Sequence, residues 1–195
     1  MGRGQLVDEV SRLRDSLGGL PEAVIRPSLV VVSGLPGTGK SHFCRRLAER
    51  TPLVILESDS LRKVLFHSPC HSGDENAYLF QAIHRLVAEL LGKGISLVLD
   101  ATNLEEYHRE RLYHIAEQTG AKLIVVQICA PPSVVYERLQ ARAGGKDPSD
   151  NSDADWGVYQ RMRPVAETIR RNHFKVDTSR DIAAAVEKMA RIIDR

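Results

Sequence analysis

The sequence of 195 residues predicts an α/β fold in which helices cover both faces of one parallel β-sheet. Short apolar runs rich in Val, Ile and Leu recur along the chain, and segments of helical length and periodicity separate them. A glycine-rich turn joins the first run to the helix that follows it. Because strands buried on both faces read as continuous apolar runs, these runs indicate a sheet that is covered on both sides.

The individual elements follow from the same patterns, with Gly and Pro punctuating the connections. Five segments are predicted to be strands: residues 29–32, 53–56, 95–99, 122–129 and 174–177. Helices are predicted for residues 5–17, 40–49, 60–66, 75–91, 105–119, 133–143, 156–172 and 182–193. The first helix lies in an N-terminal extension, residues 1–27, which we expect to pack on one side of a single domain formed by residues 28–195.

The composition restricts the class of protein. With 43% hydrophobic residues the chain can bury a sizeable core, but no run approaches the ~18 consecutive apolar residues of a membrane span. The three cysteines, Cys44, Cys70 and Cys129, are few and irregularly spaced, so we expect a reducing, cytoplasmic location. The net charge of +2 neither indicates nor excludes a nucleic-acid partner.

The glycine-rich turn, Gly34-Leu35-Pro36-Gly37-Thr38-Gly39-Lys40-Ser41, has the spacing of a P-loop (Walker A). Its glycines let the backbone turn tightly and direct N–H groups at phosphate oxygens, and the following helix adds the positive end of its dipole. In this pattern Lys40 bridges the β- and γ-phosphates of ATP, and the hydroxyl of Ser41 is a ligand of Mg²⁺. The sequence therefore predicts a three-layer P-loop NTPase fold with ATP and Mg²⁺ as cofactors.

A second magnesium-side group is expected at the end of the third predicted strand. Asp100 follows that apolar run, and a carboxylate at the carboxyl end of a parallel strand faces the crevice where ligands bind. Asp100 is therefore the natural partner of the Mg²⁺ held by Ser41, directly or through a water molecule. The alternative is a structural aspartate that opens the next segment as a turn or N-cap.

Candidate groups for a phosphoryl acceptor follow the second predicted strand. Asp59 could accept the proton of an attacking hydroxyl group, and Arg62, about one helical turn later, could hold an anionic group of the acceptor. Taken alone, the pair is better explained as a helix cap followed by a solvated arginine. The neighbouring P-loop favours the functional interpretation.

A mobile lid is predicted for the Gly-, Pro-, Ser- and Asp-rich residues 143–155. Arg138, Arg142 and Lys146 lead into it with a spacing of four residues, which places them on one helix face. Such cations could stabilise the charge of the migrating phosphoryl group, and closure of a lid excludes water. The alternative is a solvated charged face, and of the three cations Arg142 is the strongest candidate.

With these residues located, the chain resembles the P-loop kinase family that contains bacteriophage-type polynucleotide 5′-kinases and zeta-toxin-like kinases. Four segments carry the likeness: the P-loop, Ser58-Asp59-Ser60-Leu61-Arg62, Leu99-Asp100-Ala101-Thr102-Asn103-Leu104 and Val176-Asp177-Thr178-Ser179. The likeness covers residues 29–181 in the family's order. It implies a five-stranded parallel sheet with the strand order 2-3-1-4-5.

The resemblance also implies roles for individual residues. In polynucleotide kinases of this type, the aspartate that matches Asp59 is the general base, and the arginine that matches Arg62 contacts the phosphate of the acceptor. Arg142 matches a lid arginine that acts on the transferred phosphoryl group. The remaining matches lie beside the acceptor and the metal (Asp100, Thr102 and Asn103) or in a loop near the adenine (Asp177, Thr178 and Ser179).

These patterns predict an ATP-dependent kinase that acts on a hydroxyl group, for which a nucleic-acid 5′-OH is slightly favoured. The chain departs from the phage-type enzymes in its more acidic lid and its additional N-terminal helix, and we expect no partner phosphatase domain. The acidic lid argues against a long polynucleotide. The alternatives are a kinase of a small molecule or nucleotide-sugar, and a P-loop ATPase switch that has no acceptor except water.

Overall fold

The computed structural model of the protein describes residues 3–145 and 152–195. Its centre is a sheet of five parallel strands in the order β2-β3-β1-β4-β5, which confirms the order that the family resemblance implies. The strands are β1 Ser28–Ser33, β2 Val54–Glu57, β3 Leu97–Asp100, β4 Lys122–Cys129 and β5 Phe174–Asp177.

Helices pack on both faces of this sheet. They are α1 Arg3–Asp15, α2 Lys40–Ala48, α3 Ser58–Leu65, α4 Gly73–Gly92, α5 Glu106–Thr119, α6 Pro132–Gly144, α7 Trp156–Met162 and α8 Ala183–Ile193. With one exception, the bounds differ from the predicted ones by at most two residues. One such difference matters for the site, because α3 begins at Ser58 and so includes Asp59 in its first turn.

The alternation of side chains along β1 divides the core into two layers. Leu29 and Val31 face a cluster with residues of α1, α4 and α5, whereas Val30 and Val32 face a cluster with residues of α2 and α8. All residues of β1 are buried, as expected for the central strand of a doubly covered parallel sheet. This burial fixes the position of the loop that follows Ser33.

The predicted helix over residues 156–172 is wrong beyond its first two turns. Helix α7 ends at Met162, and a 3₁₀ turn over Arg163–Val165 follows it. Pro164 has no N–H to donate to a carbonyl of the preceding turn, so it cannot continue the hydrogen bonds of the α-helix. Residues 166–170 form no helix or strand, and the backbone carbonyls of Glu167 and Thr168 accept hydrogen bonds, each of 3.1 Å, from the buried Arg109.

The N-terminal helix α1 packs against α3 and α4 through buried side chains that include Val10 and Leu13. Arg14 of α1 also forms an ion pair of 2.9 Å with Glu89 of α4. The division of the chain at residue 27 stays a prediction. None of the helices in the described part of the chain has the length and apolar character needed to cross a membrane.

Candidate active site

The P-loop connects the end of β1 to the start of α2, as the sequence predicted. Gly39 has a φ of 90°, in the left-handed region that residues with a side chain rarely adopt. A Cβ atom there would lie 3.0 Å from Oγ1 of Thr178, and a Cβ at Gly34 would lie 2.4 Å from the carbonyl oxygen of Ile128. Glycine is therefore required at both positions by backbone conformation or by space.

Three hydrogen bonds fix the shape of this loop. The N–H of Gly34 donates to the carbonyl of Thr102 at 3.0 Å, and the hydroxyl of Thr38 donates to the carbonyl of Leu35 at 2.7 Å. The hydroxyl of Thr178, in the loop after β5, donates to the carbonyl of Thr38 at 2.6 Å. The P-loop is thus held by the segments that follow β3 and β5. Because its backbone is already ordered, it loses less conformational entropy when it binds phosphate.

Lys40 is the first residue of α2, and its Nζ donates to the carbonyl oxygen of Leu35 at 3.1 Å. Burial lowers the pKa of Lys40, and the carboxylates of Asp100 and Asp59 oppose this shift. The ammonium group therefore lies within electrostatic reach of both predicted acids. Burial disfavours the charged form of Lys40, and the negative charge of a phosphate chain in the loop would stabilise it.

Asp100 ends β3 and is only 4% exposed. Its pKa is raised by burial, against which the charge of Lys40 and a hydrogen bond from Ser41 act. Within the described residues, Oδ2 of Asp100 is buried without a hydrogen-bond partner. A buried carboxylate oxygen beside a hydroxyl group fits Mg²⁺, which prefers oxygen ligands, so Ser41 and Asp100 are the residues that could hold it.

Glu57 is a site residue to which the sequence reasoning gave no role. It ends β2, where it pairs in register with Asp100 of the neighbouring strand β3. The hydroxyl of Ser60 donates a hydrogen bond to its carboxylate. The signal in the sequence is that Glu57 is an acid at the carboxyl end of a predicted strand, as Asp100 is at the end of the next strand.

Asp59 lies in the first turn of α3, next to the predicted phosphate site. Its pKa is raised by burial, and the positive charges of Lys40 and Arg62 partly oppose this shift. A carboxylate whose pKa is raised accepts a proton more readily than an ordinary aspartate. Asp59 and Asp100 therefore both lie within electrostatic reach of Lys40.

Arg62 has a different environment from the predicted one. It is 5% exposed, forms an ion pair with Glu75 of α4 and donates to Oδ1 of Asn76 at 2.6 Å. The carboxylate of Glu75 also accepts the backbone N–H of Cys70 at 2.7 Å, and this bond is the largest cause that lowers the pKa of Glu75 to about 2. The guanidinium group of Arg62 thus joins α3 to α4 and the segment between them.

Thr102 and Asn103 lie beside the P-loop and brace it. The carbonyl of Thr102 accepts the N–H of Gly34, as described above. The side-chain amide of Asn103, which is 4% exposed, donates to the carbonyl of Val32 at 2.7 Å. The carbonyl of Asn103 accepts hydrogen bonds from Ser33 Oγ at 3.0 Å and Arg109 Nη1 at 2.6 Å.

Arg138, the first of the three cations that lead into the predicted lid, contacts the loop after β5. It donates to Oγ1 of Thr178 at 2.9 Å and to the carbonyl of Thr178 at 2.7 Å, a contact that sequence reasoning missed. Arg142 is half-buried, and its charge adds to the effect of burial in lowering the pKa of Lys40. Arg142 therefore lies within electrostatic reach of Lys40, whereas Lys146 lies outside the described residues.

The loop after β5 contains two of the predicted nucleotide-binding residues, Asp177 and Thr178, and their surroundings differ. Thr178 is buried and forms the bonds to the P-loop and to Arg138 given above. The carboxylate of Asp177 accepts the hydroxyl of Ser179 at 2.7 Å and its N–H at 2.9 Å, and both bonds lower the pKa of Asp177. A contact of this loop with adenine stays a prediction.

Together, the parallel sheet and the P-loop between strand and helix define a P-loop kinase-like domain. The AAA_33 family, described as an AAA domain, matches residues 29–169, and the chain belongs to this family.

Individual proteins with similar sequences include two relatives. The chain is 31% identical over 159 residues to the protein named "Uncharacterized protein Rv2004c" of Mycobacterium tuberculosis. This alignment covers 75% of this chain and 30% of that protein. The chain is 26% identical over 127 residues to the L-seryl-tRNA(Sec) kinase of Methanococcus maripaludis. That alignment covers 63% of this chain and 48% of the kinase. The chain thus spans less than half the length of these relatives.

A solved structure supports the assignment of the fold. The APS kinase CysC of Mycobacterium tuberculosis, in complex with AMPPNP and APS, is similar with a TM-score of 0.65 over 87% of this chain and 99% of that chain. The two sequences are 17% identical, so this likeness concerns the fold alone.

Proposed function

We propose that this protein is an ATP- and Mg²⁺-dependent phosphotransferase that moves the γ-phosphoryl group to a hydroxyl group. The grouping of one cation and two carboxylates beside the P-loop carries the proposal. The charge of Lys40 acts on the pKa of both Asp59 and Asp100, and their charges act on the pKa of Lys40. Phosphoryl transfer needs a cation on the phosphates, a ligand for Mg²⁺ and a proton acceptor, and these three side chains are of the required types.

Each residue has one task in the proposed reaction. The acceptor oxygen forms a bond to the γ-phosphorus, the bond from that phosphorus to the β–γ bridging oxygen breaks, and ADP leaves with the electron pair. Asp59 takes the proton of the acceptor hydroxyl, and Lys40 binds the β- and γ-phosphate oxygens. Ser41 and Asp100 would hold Mg²⁺, which neutralises phosphate charge when it is bound.

Arg142 is proposed to close over the γ-phosphoryl group from the lid helix α6. Its effect on the pKa of Lys40 supports this role, because the two cations must be near each other for that effect to arise. A phosphate between them would relieve their repulsion and gain charge-assisted hydrogen bonds from both. The proposed nucleotide contact of Asp177 and Thr178 rests on the family resemblance.

The acceptor can be a nucleic-acid 5′-OH or a small molecule. The relative named L-seryl-tRNA(Sec) kinase supports an acceptor attached to RNA. The ion pair between Arg62 and Glu75 favours an acceptor without phosphate, because a phosphate could use Arg62 only by displacing a buried carboxylate. The acceptor-side roles of Thr102 and Asn103 are indirect in this proposal, since both hold the P-loop.

Transfer of radiolabel from [γ-³²P]ATP tests the proposal. The acceptors are 5′-OH RNA, 5′-OH DNA, nucleosides, sugars and UDP-sugars, and the variants are Asp59→Asn and, as a control, Asp74→Asn, whose side chain is exposed on α4. We expect Asp59→Asn to lower transfer by about 10²- to 10⁴-fold with ATP affinity nearly unchanged. If no acceptor is labelled while Asp59→Asn leaves ATP hydrolysis intact, the protein is an ATPase switch and the proposal is wrong.

A further inference from the structure

Helix α6 rests directly on the P-loop. Leu35 of the loop packs against the buried cluster that contains Val135 and Leu139 of this helix. The fit is closest at Gly37, where a Cβ atom would lie 2.9 Å from Cγ1 of Val135 and 3.0 Å from Cγ of Leu139. Because there is no space between them, the position of α6 and the position of the phosphate-binding backbone depend on each other.

Arg138 of α6 adds polar contacts to this packing. Its guanidinium group spans both oxygens of Thr178, with Nη1 2.9 Å from the hydroxyl oxygen and Nη2 2.7 Å from the carbonyl oxygen. Because the hydroxyl accepts a hydrogen bond from Arg138, its own hydrogen is free to be donated to the carbonyl of Thr38 in the P-loop, at 2.6 Å. This Arg138–Thr178 clamp thus joins α6 to the P-loop through the loop after β5.

The orientation of Thr178 in the clamp is fixed by its backbone as well as by its side chain. Its N–H donates to the carbonyl of Cys129, the last residue of β4, at 2.9 Å. Its hydroxyl and carbonyl are both bound by Arg138, and the residue is only 8% exposed. A planar guanidinium group can donate two parallel hydrogen bonds in this way, whereas an ammonium group cannot. The clamp therefore requires arginine at position 138 and a hydroxyl group at position 178.

We propose that Arg138 is a positioning residue of the phosphate site: acting through Thr178, it holds the P-loop in the shape that binds a triphosphate before the nucleotide arrives. This inference rests on the proposed binding of ATP and gives Arg138 an indirect role. Arg142, one turn later on α6, is the residue proposed to contact the γ-phosphoryl group. Since an ordered loop loses less conformational entropy on binding, the clamp raises the affinity for the phosphate chain and not for the base.

Calorimetry with two ligands tests this role, because Mg-tripolyphosphate has the phosphates of Mg-ATP but no base. We expect Arg138→Met and Arg138→Lys to weaken the binding of both ligands by a similar factor of about tenfold. Gln140→Met, which changes an exposed residue of the same helix, is the control and should stay within about twofold of the wild-type affinity.

Three results would overturn the inference and leave the kinase proposal standing. Unchanged affinity for Mg-ATP in Arg138→Met would show that the clamp is not needed. A loss confined to Mg-ATP would show that Arg138 contacts the nucleoside directly. Near wild-type affinity in Arg138→Lys would show that only the positive charge matters, since lysine keeps the charge but not the paired donation. Absence of Mg-ATP binding to the wild-type protein would overturn both proposals.

Variants of Thr178 give a second test, which leaves Arg138 in place and needs Mg-ATP alone. Thr178→Val lacks the hydroxyl group and should weaken binding by about tenfold, whereas Thr178→Ser keeps it and should stay within about threefold. Because the two residues act in one chain of bonds, Arg138→Met combined with Thr178→Val should bind no more than about threefold more weakly than the weaker single variant. Additive losses of about 100-fold, or equal affinities of Thr178→Val and Thr178→Ser, contradict the clamp. The comparison of the two Thr178 variants holds as a test if Arg138→Met lowers stability.

Discussion

Replacement of the buried Arg109 by methionine tests how the fold holds the site. Arg109 is fully buried and forms an ion pair of 2.6 Å with Glu106. It also donates to the carbonyls of Asn103, Glu167 and Thr168. Methionine keeps much of the side-chain volume but leaves the carboxylate of Glu106, which is 6% exposed, without its counter-ion.

Breaking a buried ion pair from one side costs about 3–5 kcal/mol of unfolding free energy. For a chain of this length, each kcal/mol corresponds to roughly 2–4 °C in Tm, so Arg109→Met should lower Tm by about 6–20 °C. Urea and thermal unfolding followed by circular dichroism measure both quantities. Arg111→Ala, an exposed arginine of the same helix, is the control and should stay within about 0.5 kcal/mol. A loss below about 1 kcal/mol for Arg109→Met would refute the assigned role.

Two further predictions concern the site itself. Gly39→Ala places an L-residue at a φ of 90° with its methyl group 3.0 Å from Thr178 Oγ1; since left-handed backbone costs about 1–2 kcal/mol, we expect ATP to bind about tenfold more weakly by calorimetry. Gly19→Ala, with no atom within 4 Å of the added Cβ, is the control, and equal affinities for the two variants would contradict the constraint.

The second prediction is a loss of kcat/KM at acidic pH. Because burial raises the pKa of Asp59 above 3.8, this carboxylate takes up a proton at a higher pH than an ordinary aspartate and can then no longer act as the base. A loss with its midpoint at or below pH 3.8 would show that Asp59 is not the base.

The parts of the fold that depend on local pattern were predictable from the sequence. Buried parallel strands need continuous apolar residues, so β1 to β4 read as largely apolar runs, and the P-loop reads as a spacing of glycines. The edge strand β5, Phe174–Asp177, alternates apolar and charged residues instead. The predicted helix over residues 156–172 is too long, because Pro164 lies within it and cannot continue an α-helix. The segment after it accepts hydrogen bonds from Arg109, and in the sequence Arg109 has the pattern of an ordinary charged residue on a helix.

The partners of the site residues could not be predicted, since they come from distant elements. Contacts of Arg62 and Asn103 with an acceptor stay predictions. The structure pairs Arg62 with Glu75 of the next helix, and the side-chain amide of Asn103 donates to the carbonyl of Val32 in β1. Buried polar groups find hydrogen-bond partners, and tertiary packing decides which groups are near enough to bind the side chains of Arg62 and Asn103.

The central claim is that the P-loop grips the triphosphate of Mg-ATP with the help of the charge on Lys40. Isothermal titration calorimetry of the wild-type protein and of Lys40→Met tests it most directly. The account predicts that the wild-type protein binds Mg-ATP with measurable heat and that Lys40→Met weakens binding by about tenfold or more. Absence of binding to the wild-type protein, or equal affinity in Lys40→Met, would contradict the account.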